Sequence, residues 1–172
     1  MQKKVAFISG LGGTGKTAVY YYFLENPVKT ITFYDFDKGK YKSPPHNEDH
    51  LKWRANQNNW WLEVANKEYE VKGNITVVLG LCLYPRQIPQ LPNAKYFEQN
   101  SFLFGHLTCD HEVRKERLFG RGNPDHWEGV KPWYEEFFQE MKGENVFEID
   151  TTNSSVEEVA LKIKDWIKRS TS

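Results

Sequence analysis

The chain has 172 residues, of which 39% are hydrophobic and 15% aromatic, so it is long enough to form one domain with a buried core. Its 23 basic residues equal its 23 acidic residues in number, which excludes an overall attraction to nucleic acid or to an anionic membrane. No apolar run approaches the roughly 18 residues that a membrane span requires. The first residues are typical of a strand and not of a signal peptide, so we expect a cytoplasmic protein.

Strand-like and helix-like segments alternate along the chain, which is the pattern of a parallel sheet covered by helices on both faces. In chain order we predict strand 5–8, helix 18–24, strand 30–34, helix 51–67, strand 75–83, strand 101–108, helix 110–119, helix 131–141, strand 146–149 and helix 155–168. A loop is predicted at 38–49, and Ser155 with Glu158 predicts a capping box on the last helix. No repeat or linker divides the chain, so a single α/β domain is expected.

The most specific motif is GLGGTGKT at residues 10–17, which matches G-x-x-x-x-G-K-[ST] in full between a predicted strand and a predicted helix. Backbone N–H groups of such a loop surround a phosphate at the positive end of a helix. We expect Lys16 to reach the β- and γ-phosphates and Thr17 to bind Mg²⁺. The predicted nucleotide-binding residues are Gly10, Gly12, Gly13, Thr14, Gly15, Lys16, Thr17 and Ala18. The alternative is an ordinary glycine-rich turn.

Two carboxylates follow the second predicted strand. Asp35 and Asp37 point to the same side because side chains alternate along a strand. Open α/β sheets bind ligands at the carboxyl ends of their strands, which places this pair beside the phosphate loop. A solvated turn is the alternative interpretation.

With the phosphate loop, three segments carry a resemblance to a known family: Asp35-Phe36-Asp37, Trp53-Arg54, and CDHEVRKERLFGRG at residues 109–122. The chain resembles the small P-loop kinases related to nucleoside monophosphate, shikimate and gluconate kinases. This resemblance implies a three-layer α/β/α P-loop NTPase with a mostly parallel five-stranded sheet. It also implies one kinase domain over residues 1–172, with a substrate-binding segment at about 38–70 and a lid at about 114–130. ATP and Mg²⁺ are the implied cofactors.

The resemblance also assigns roles to single residues. Asp35 would hold Mg²⁺ through water, while Asp37 would orient the acceptor or act as its base. Arg117 matches the residue that stacks on adenine, and Arg121 matches a lid residue that stabilises charge on the transferred phosphoryl group. Thr152 lies in IDTTNSSVEEV, which is similar to the loop where adenine commonly rests.

Other arginines are candidates for binding anions. Arg54 and Arg86 could hold a substrate phosphate or carboxylate by forked hydrogen bonds, or either could form a surface salt bridge. Arg114 lies one helical turn before Arg117 and could join it and Arg121 in presenting cations to a polyphosphate. The alternative is a solvated helix face.

The remaining chemistry-bearing residues give weaker signals. Cys82 and Cys109 are not in a C-x-x-C pair, so we expect buried free thiols. The five histidines lack metal-site spacing, and we expect each to be exposed or hydrogen-bonded.

These observations favour an ATP-dependent kinase that transfers the γ-phosphoryl group to a hydroxyl or phosphate of a small molecule. By its resemblance to shikimate and gluconate kinases, the Asp-x-Asp pair favours a hydroxylated acceptor, whereas the aromatic residues and Arg86 would suit a nucleobase and its monophosphate. Two alternatives are a nucleotide-binding regulatory protein with little transfer activity and a polynucleotide 5′-hydroxyl kinase. Zero net charge disfavours a nucleic acid partner. We expect no membrane partner, and a monomer or homodimer.

Overall fold

A five-stranded parallel sheet forms the centre of the structure, a computed structural model that describes residues 2–45, 50–80, 82–124, 134–143 and 145–171. The strands are β1 (Val5–Gly10), β2 (Ile31–Asp35), β3 (Ile75–Leu79), β4 (Phe102–Thr108) and β5 (Val146–Asp150), and their spatial order is β2-β3-β1-β4-β5. Every neighbouring pair is parallel. The carboxyl ends of all five strands therefore meet at one edge of the sheet.

Helices cover both faces of this sheet. They are α1 (Lys16–Glu25), α2 (His50–Lys72), α3 (His111–Gly120), α4 (Tyr134–Met141) and α5 (Val156–Arg169). Side chains of β1 alternate between the faces, so Ala6 and Ile8 pack with α1 and α5, while Val5 and Phe7 pack with α2. The predicted three-layer α/β/α arrangement is confirmed. No helix in the described ranges is long and apolar enough to cross a membrane.

The third strand is shorter than the sequence predicts. β3 ends at Leu79, not at residue 83; Gly80, which follows it, packs against Phe36, and its N–H still donates to the carbonyl of Ile8 at 3.0 Å. Cys82 and Leu83 also belong to the apolar run, but they are buried in the core beside α2 and do not extend the sheet. An apolar run cannot distinguish these two kinds of burial.

Helix ends follow local signals more closely. The predicted capping box is confirmed: Ser155 Oγ accepts from the Glu158 N–H at 3.2 Å, and Glu158 Oε2 accepts from the Ser155 N–H at 2.7 Å. Helix α2 continues to Lys72 and is followed by Gly73 at φ 69°. Three short 3₁₀ helices at Ile88–Gln90, Pro92–Tyr96 and Gln99–Ser101 were not predicted.

Parts of several predicted segments lie outside the described residues. These are residues 46–49 of the predicted loop and residues 125–130 of the predicted lid, together with the first residues of the helix predicted from 131. The first part of the predicted lid, from 114 to 120, is regular helix within α3.

Candidate active site

The phosphate loop joins β1 to α1 and adopts a backbone that favours glycine. Gly13 has φ 84° and Gly15 has φ 95°, a region that other residues rarely enter. Gly15 is the N-cap of α1, and the exposed Thr17 lies in the first turn of this helix. The Thr14 hydroxyl donates to the Leu11 carbonyl at 2.8 Å and closes the turn. The loop therefore presents its N–H groups at a helix N-terminus, where anions are stabilised.

Lys16 lies over this loop. Its Nζ donates to the carbonyl oxygens of Gly10 at 2.5 Å and Leu11 at 2.8 Å. Burial lowers the pKa of Lys16 to about 8, and the nearby charges of Asp37 and Asp35 oppose that shift. The ammonium group is thus close to both carboxylates that follow β2.

Helix α3 supports the loop from behind. A Cβ atom on Gly13 would lie 2.6 Å from Arg114 Cγ and 2.8 Å from the Arg114 carbonyl oxygen. Leu118 contacts the same part of the loop, because its side chain would lie within 3.6 Å of a Cβ on Gly12. Arg114 is 2% exposed, so it is a support beneath the loop and not a member of an exposed set.

Arg117 links the phosphate loop to the loop that follows β5. Its Nη2 donates to the carbonyls of Thr151 at 2.8 Å and Thr152 at 3.3 Å, and its Nη1 donates to Thr151 Oγ1 at 3.2 Å. The same Nη1 lies 3.5 Å from the Gly13 carbonyl and 3.3 Å from Cys109 Sγ. These bonds occupy the edges of the guanidinium plane and fix the orientation of its faces.

A cleft of about 150 Å³ opens beside Arg117. It is lined by Thr14, Gly15, Ala18, Val19, Arg117, Arg121, Thr151, Ser154, Val156 and Val159. Five of these residues were predicted nucleotide-binding or catalytic residues. Sequence reasoning missed the rest, although the segment IDTTNSS contains two of them, Thr151 and Ser154.

Thr152 was predicted to contact the nucleotide but is not among the lining residues. Its hydroxyl donates to Asp150 Oδ1 at 2.6 Å and accepts from the Asp110 N–H at 2.8 Å. It therefore shapes the loop after β5, while its neighbour Thr151 faces the cleft.

The two carboxylates stand at the carboxyl end of β2. Asp35 Oδ1 accepts from the Asp37 N–H at 3.1 Å and begins the 3₁₀ turn Phe36–Lys38. Partial burial and the charge of Asp35 raise the pKa of Asp37, while Lys16 and Arg54 oppose this rise. Asp37 thus lies in the electrostatic neighbourhood of three predicted site residues.

Helix α2 holds the turn that carries Asp37. Gln57 Nε2 and Trp61 Nε1 both donate to the Phe36 carbonyl, at 2.9 and 3.2 Å. Gln57 Oε1 also accepts from the Tyr41 N–H at 2.9 Å. The buried amide of Gln57 therefore fixes both ends of the segment between Phe36 and Tyr41.

Arg54 lies on α2, one helical turn before Asn58. The side-chain amide of Asn58 donates from Nδ2 to the backbone carbonyl of Arg54 at 2.7 Å. Burial lowers the pKa of Arg54, and the charges of Tyr84, Cys82 and Asp37 oppose this shift. Arg54 therefore lies within electrostatic range of Asp37.

Comparison with known proteins shows what this architecture is similar to. No protein-family model and no curated protein matches the sequence. Solved structures do: the tunicamycin resistance protein of Deinococcus radiodurans has a TM-score of 0.60 at 16% identity, covering 96% of both chains. A sugar kinase from a Janibacter species has a TM-score of 0.59 at 14% identity, covering 96% of this chain and 95% of that one. The shikimate kinase of Acinetobacter baumannii has a TM-score of 0.54 at 16% identity, covering 96% of this chain and 93% of that one.

The chain has the fold of the small P-loop kinases. In this P-loop kinase fold the phosphate loop, the cleft and the Asp35-Phe36-Asp37 turn all lie at the carboxyl edge of the sheet. Because the identities are 14 to 16%, the likeness establishes the fold, and the chemistry depends on the site residues themselves.

Arg86 forms an ion pair with a neighbouring helix. Its Nε is 2.9 Å from both Oε1 and Oε2 of Glu140 on α4, and its side chain is 60% exposed. The ring of Tyr84 lies 5.9 Å from the guanidinium carbon. This ion pair is the alternative that the sequence left open for Arg86, and the structure does not bring Arg86 to Asp37.

Arg121 follows the last residue of α3, is exposed and lines the cleft. The structure therefore brings it to the cleft, together with Arg117. In the described part of the chain no three His, Cys, Asp or Glu side chains gather to hold a metal ion on their own.

His106 differs from the expectation that each histidine is exposed or hydrogen-bonded. His106 on β4 is 1% exposed, and neither ring nitrogen has a hydrogen-bond partner among the described residues. Its ring packs against Phe137 and Phe138 of α4, with centroids 5.3 and 5.5 Å away. Burial lowers the pKa of His106 to about 4. Its burial depends on how α4 packs against the sheet, which no local pattern predicts.

Proposed function

We propose that the protein is an ATP-dependent kinase that transfers the γ-phosphoryl group of Mg-ATP to a small-molecule acceptor. The observation that carries this proposal is the convergence of Lys16, Asp37 and Arg54 at the carboxyl edge of the sheet. A protein that only bound and sensed a nucleotide would not need a carboxylate and an arginine on the acceptor side of the phosphate loop.

The nucleotide would lie along the phosphate loop with its base in the cleft beside Arg117. Lys16 would exchange the carbonyls of Gly10 and Leu11 for phosphate oxygens, which are stronger acceptors for an ammonium group. The face of the Arg117 guanidinium, fixed by its hydrogen bonds to Thr151, would support the base. A similar structure, an APS kinase from Mycobacterium tuberculosis, holds AMPPNP, which supports an adenine nucleotide.

Mg²⁺ fits the donor atoms at this edge. The exposed hydroxyl of Thr17 and the carboxylate of Asp35 are hard oxygen ligands of the kind that Mg²⁺ prefers alongside phosphate oxygens and water. We propose Thr17 as a direct ligand and Asp35 as a ligand through water. The ion would neutralise charge on the phosphates.

Asp37 would accept a hydrogen bond from the acceptor hydroxyl and receive its proton. Phosphoryl transfer depends on positioning and charge neutralisation more than on a strong base, so the Asp37 carboxylate, whose pKa burial raises, suffices. Lys16 would stabilise charge on the transferred group, and the exposed Arg121 would join it by turning from the cleft toward the phosphates. This arrangement favours a hydroxyl acceptor, because Asp35 and Asp37 together would repel an attacking phosphate.

Arg54 would bind an anionic group of the acceptor. Its guanidinium lies near Tyr84 and Asp37, so an acceptor could place a hydroxyl on Asp37 and a carboxylate or phosphate on Arg54. Arg86 could take part only by giving up its contacts with Glu140, so we assign it a secondary role. A hydroxylated acid is therefore the favoured acceptor class.

ADP release from Mg-ATP tests the proposal. Wild type, Asp37→Asn and the matched control Asp165→Asn, which changes an exposed carboxylate on α5, would receive pools of hydroxylated acids, sugars, nucleosides and nucleoside monophosphates. We expect one pool to raise ADP release in wild type and the control, and Asp37→Asn to lower that rate by at least about 100-fold.

Other outcomes would identify the alternatives. Tight ATP binding with no stimulation by any pool would contradict the kinase proposal and favour a regulatory protein. Stimulation by a 5′-hydroxyl oligonucleotide that falls steeply with salt would indicate a polynucleotide kinase.

A further inference from the structure

Gln57 on α2 is fully buried, and both polar atoms of its side chain bond to the main chain, one before and one after Asp37. Its Nε2 donates to the Phe36 carbonyl at 2.9 Å, and its Oε1 accepts from the Tyr41 N–H at 2.9 Å. Residues 36–41 belong to no strand, so their backbone polar groups need partners other than a neighbouring strand. A single amide therefore ties both ends of this segment to α2.

The Phe36 carbonyl belongs to the peptide unit that leads directly into Asp37. Gln57 Nε2 and Trp61 Nε1 both donate to this oxygen, at 2.9 and 3.2 Å, and so use both of its lone pairs. At the other side of the same peptide unit, the Asp37 N–H donates to Asp35 Oδ1 at 3.1 Å. The planar peptide unit is thus held from both sides, which restricts the direction in which the Asp37 side chain leaves the main chain.

We propose that Gln57 is a positioning residue for phosphoryl transfer: by holding the peptide unit before Asp37, it keeps that carboxylate where it orients the acceptor hydroxyl. The inference rests on the proposed function. Arg54 lies on the same helix as Gln57, so the amide also couples the two groups that would hold the acceptor. A displacement of about 1 Å is enough to cost a large part of the rate, whereas ATP on the phosphate loop should be unaffected.

Gly39 leaves the space that the Gln57 amide occupies. A Cβ atom on Gly39 would collide with Nε2, Cδ and Oε1 of Gln57. The backbone of Gly39 has φ −74°, which other residues adopt without strain. Gly39→Ala therefore displaces the amide without removing it and without straining its own backbone, so it disturbs the same contact as a change at Gln57 from the opposite side.

A double-mutant cycle with Asp37 separates positioning from a general effect on the fold. The acceptor is the one found in the ADP-release experiment, and the proteins are wild type, Gln57→Met, Gly39→Ala, Asp37→Asn and the two double variants that add Asp37→Asn. We expect Gln57→Met and Gly39→Ala each to lower kcat by about 10- to 100-fold, with less than about a threefold change in the KM for ATP. When Asp37→Asn is already present, either change should lower kcat by less than about twofold further, because no carboxylate remains to be positioned.

Asn93→Ala is the matched control. Asn93 Nδ2 also donates to the main chain across a contact with α2, to the carbonyl of Asn59 at 2.9 Å, but it holds the 3₁₀ helix Pro92–Tyr96 and not the turn that carries Asp37. Its kcat should equal that of wild type. Urea unfolding of every variant establishes that each is folded under the assay conditions.

Unchanged kcat in the folded variants would overturn the inference. Losses of the same size with and without Asp37→Asn would also overturn it, because they would show that Gln57 acts on the domain as a whole and not through Asp37. If Gln57→Met does not fold, Gly39→Ala provides the same cycle with the amide retained. No stimulation of wild type by any acceptor pool would overturn the proposed function, and this inference with it, whereas an active wild type with additive losses would overturn the inference alone.

Discussion

Arg117 joins α3 to the loop after β5 through Thr151, whose carbonyl oxygen lies 2.8 Å from Arg117 Nη2 and whose hydroxyl lies 3.2 Å from Nη1. The Thr151 hydroxyl donates in turn to the Thr108 carbonyl at the end of β4, at 2.9 Å. Arg117, through Thr151, therefore connects α3 to the loop after β5 and to the end of β4. Removal of the Arg117 side chain should affect both stability and the proposed binding of a nucleotide.

Arg117→Met should lower the free energy of unfolding by about 1.5–3 kcal/mol, because hydrogen bonds from a charged donor to two carbonyls are lost. Urea unfolding measures this change, and calorimetry should show weaker ATP binding in the same variant. Arg169→Met, at an exposed site, serves as control. Unchanged stability of Arg117→Met would contradict a structural link through Thr151.

Gly13→Ala should disrupt the phosphate loop for two reasons. The backbone has φ 84°, and the new Cβ would lie 2.6 Å from Arg114 Cγ. Gly73→Ala is the matched control, because Gly73 has φ 69° but nothing within 4 Å of its Cβ position. Strain alone should cost about 1 kcal/mol in the control.

The comparison of the two glycine variants separates strain from crowding. We expect Gly13→Ala to be less stable than Gly73→Ala by at least about 1 kcal/mol and to lose ATP binding. Equal unfolding free energies for the two variants would show that α3 moves away from the loop at little cost.

Local patterns were enough to predict the order of elements, the phosphate loop and the last capping box, because each depends on neighbouring residues. The end of β3 could not be predicted, since Cys82 and Leu83 are buried against α2, which is distant in the chain, and an apolar run does not distinguish this burial from a strand. The same holds for the site. The sequence predicted Lys16 and the paired carboxylates as candidates, but the burial of Arg114 depends on how α3 packs against the loop.

His106 should make the folded state sensitive to acid. Its pKa is lowered from 6.5 to about 4 in the folded protein, so between these values the unfolded chain binds a proton that the folded protein does not. The free energy of unfolding should therefore fall as the pH falls through this window, by up to about 3 kcal/mol. Above pH 6.5 this contribution to stability is fully present.

Two charged groups near His106 affect its titration: Glu148 on β5, whose Oε2 lies 3.8 Å from Nδ1, and Lys16. His106→Phe removes the titration in a site already lined by Phe137 and Phe138. Urea unfolding of both proteins from pH 7 to pH 4.5 should give a steeper decline for wild type. Parallel pH profiles would show that His106 keeps an ordinary pKa.

The two cysteines should differ in reactivity. Burial raises the pKa of Cys82 to about 12, whereas Cys109 is only partly buried, with its Sγ 3.3 Å from Arg117 Nη1. Iodoacetamide at pH 8 should therefore modify Cys109 and leave Cys82 unmodified in the folded protein, as peptide mass spectrometry would show. Modification of Cys82 at a similar rate would contradict its burial.

Arg54 and Arg86 should contribute unequally to acceptor binding. Arg54 lies within electrostatic range of Asp37, whereas Arg86 is held by Glu140 on α4. With the acceptor found in the ADP-release experiment, Arg54→Met should raise the acceptor KM by about 10- to 100-fold, as expected for loss of a charge-assisted hydrogen bond. Arg86→Met should raise it by less than about threefold, since exposed ion pairs contribute little. The KM for ATP should change little in either variant. A larger effect of Arg86→Met than of Arg54→Met would move the anionic end of the acceptor away from α2 and toward α4.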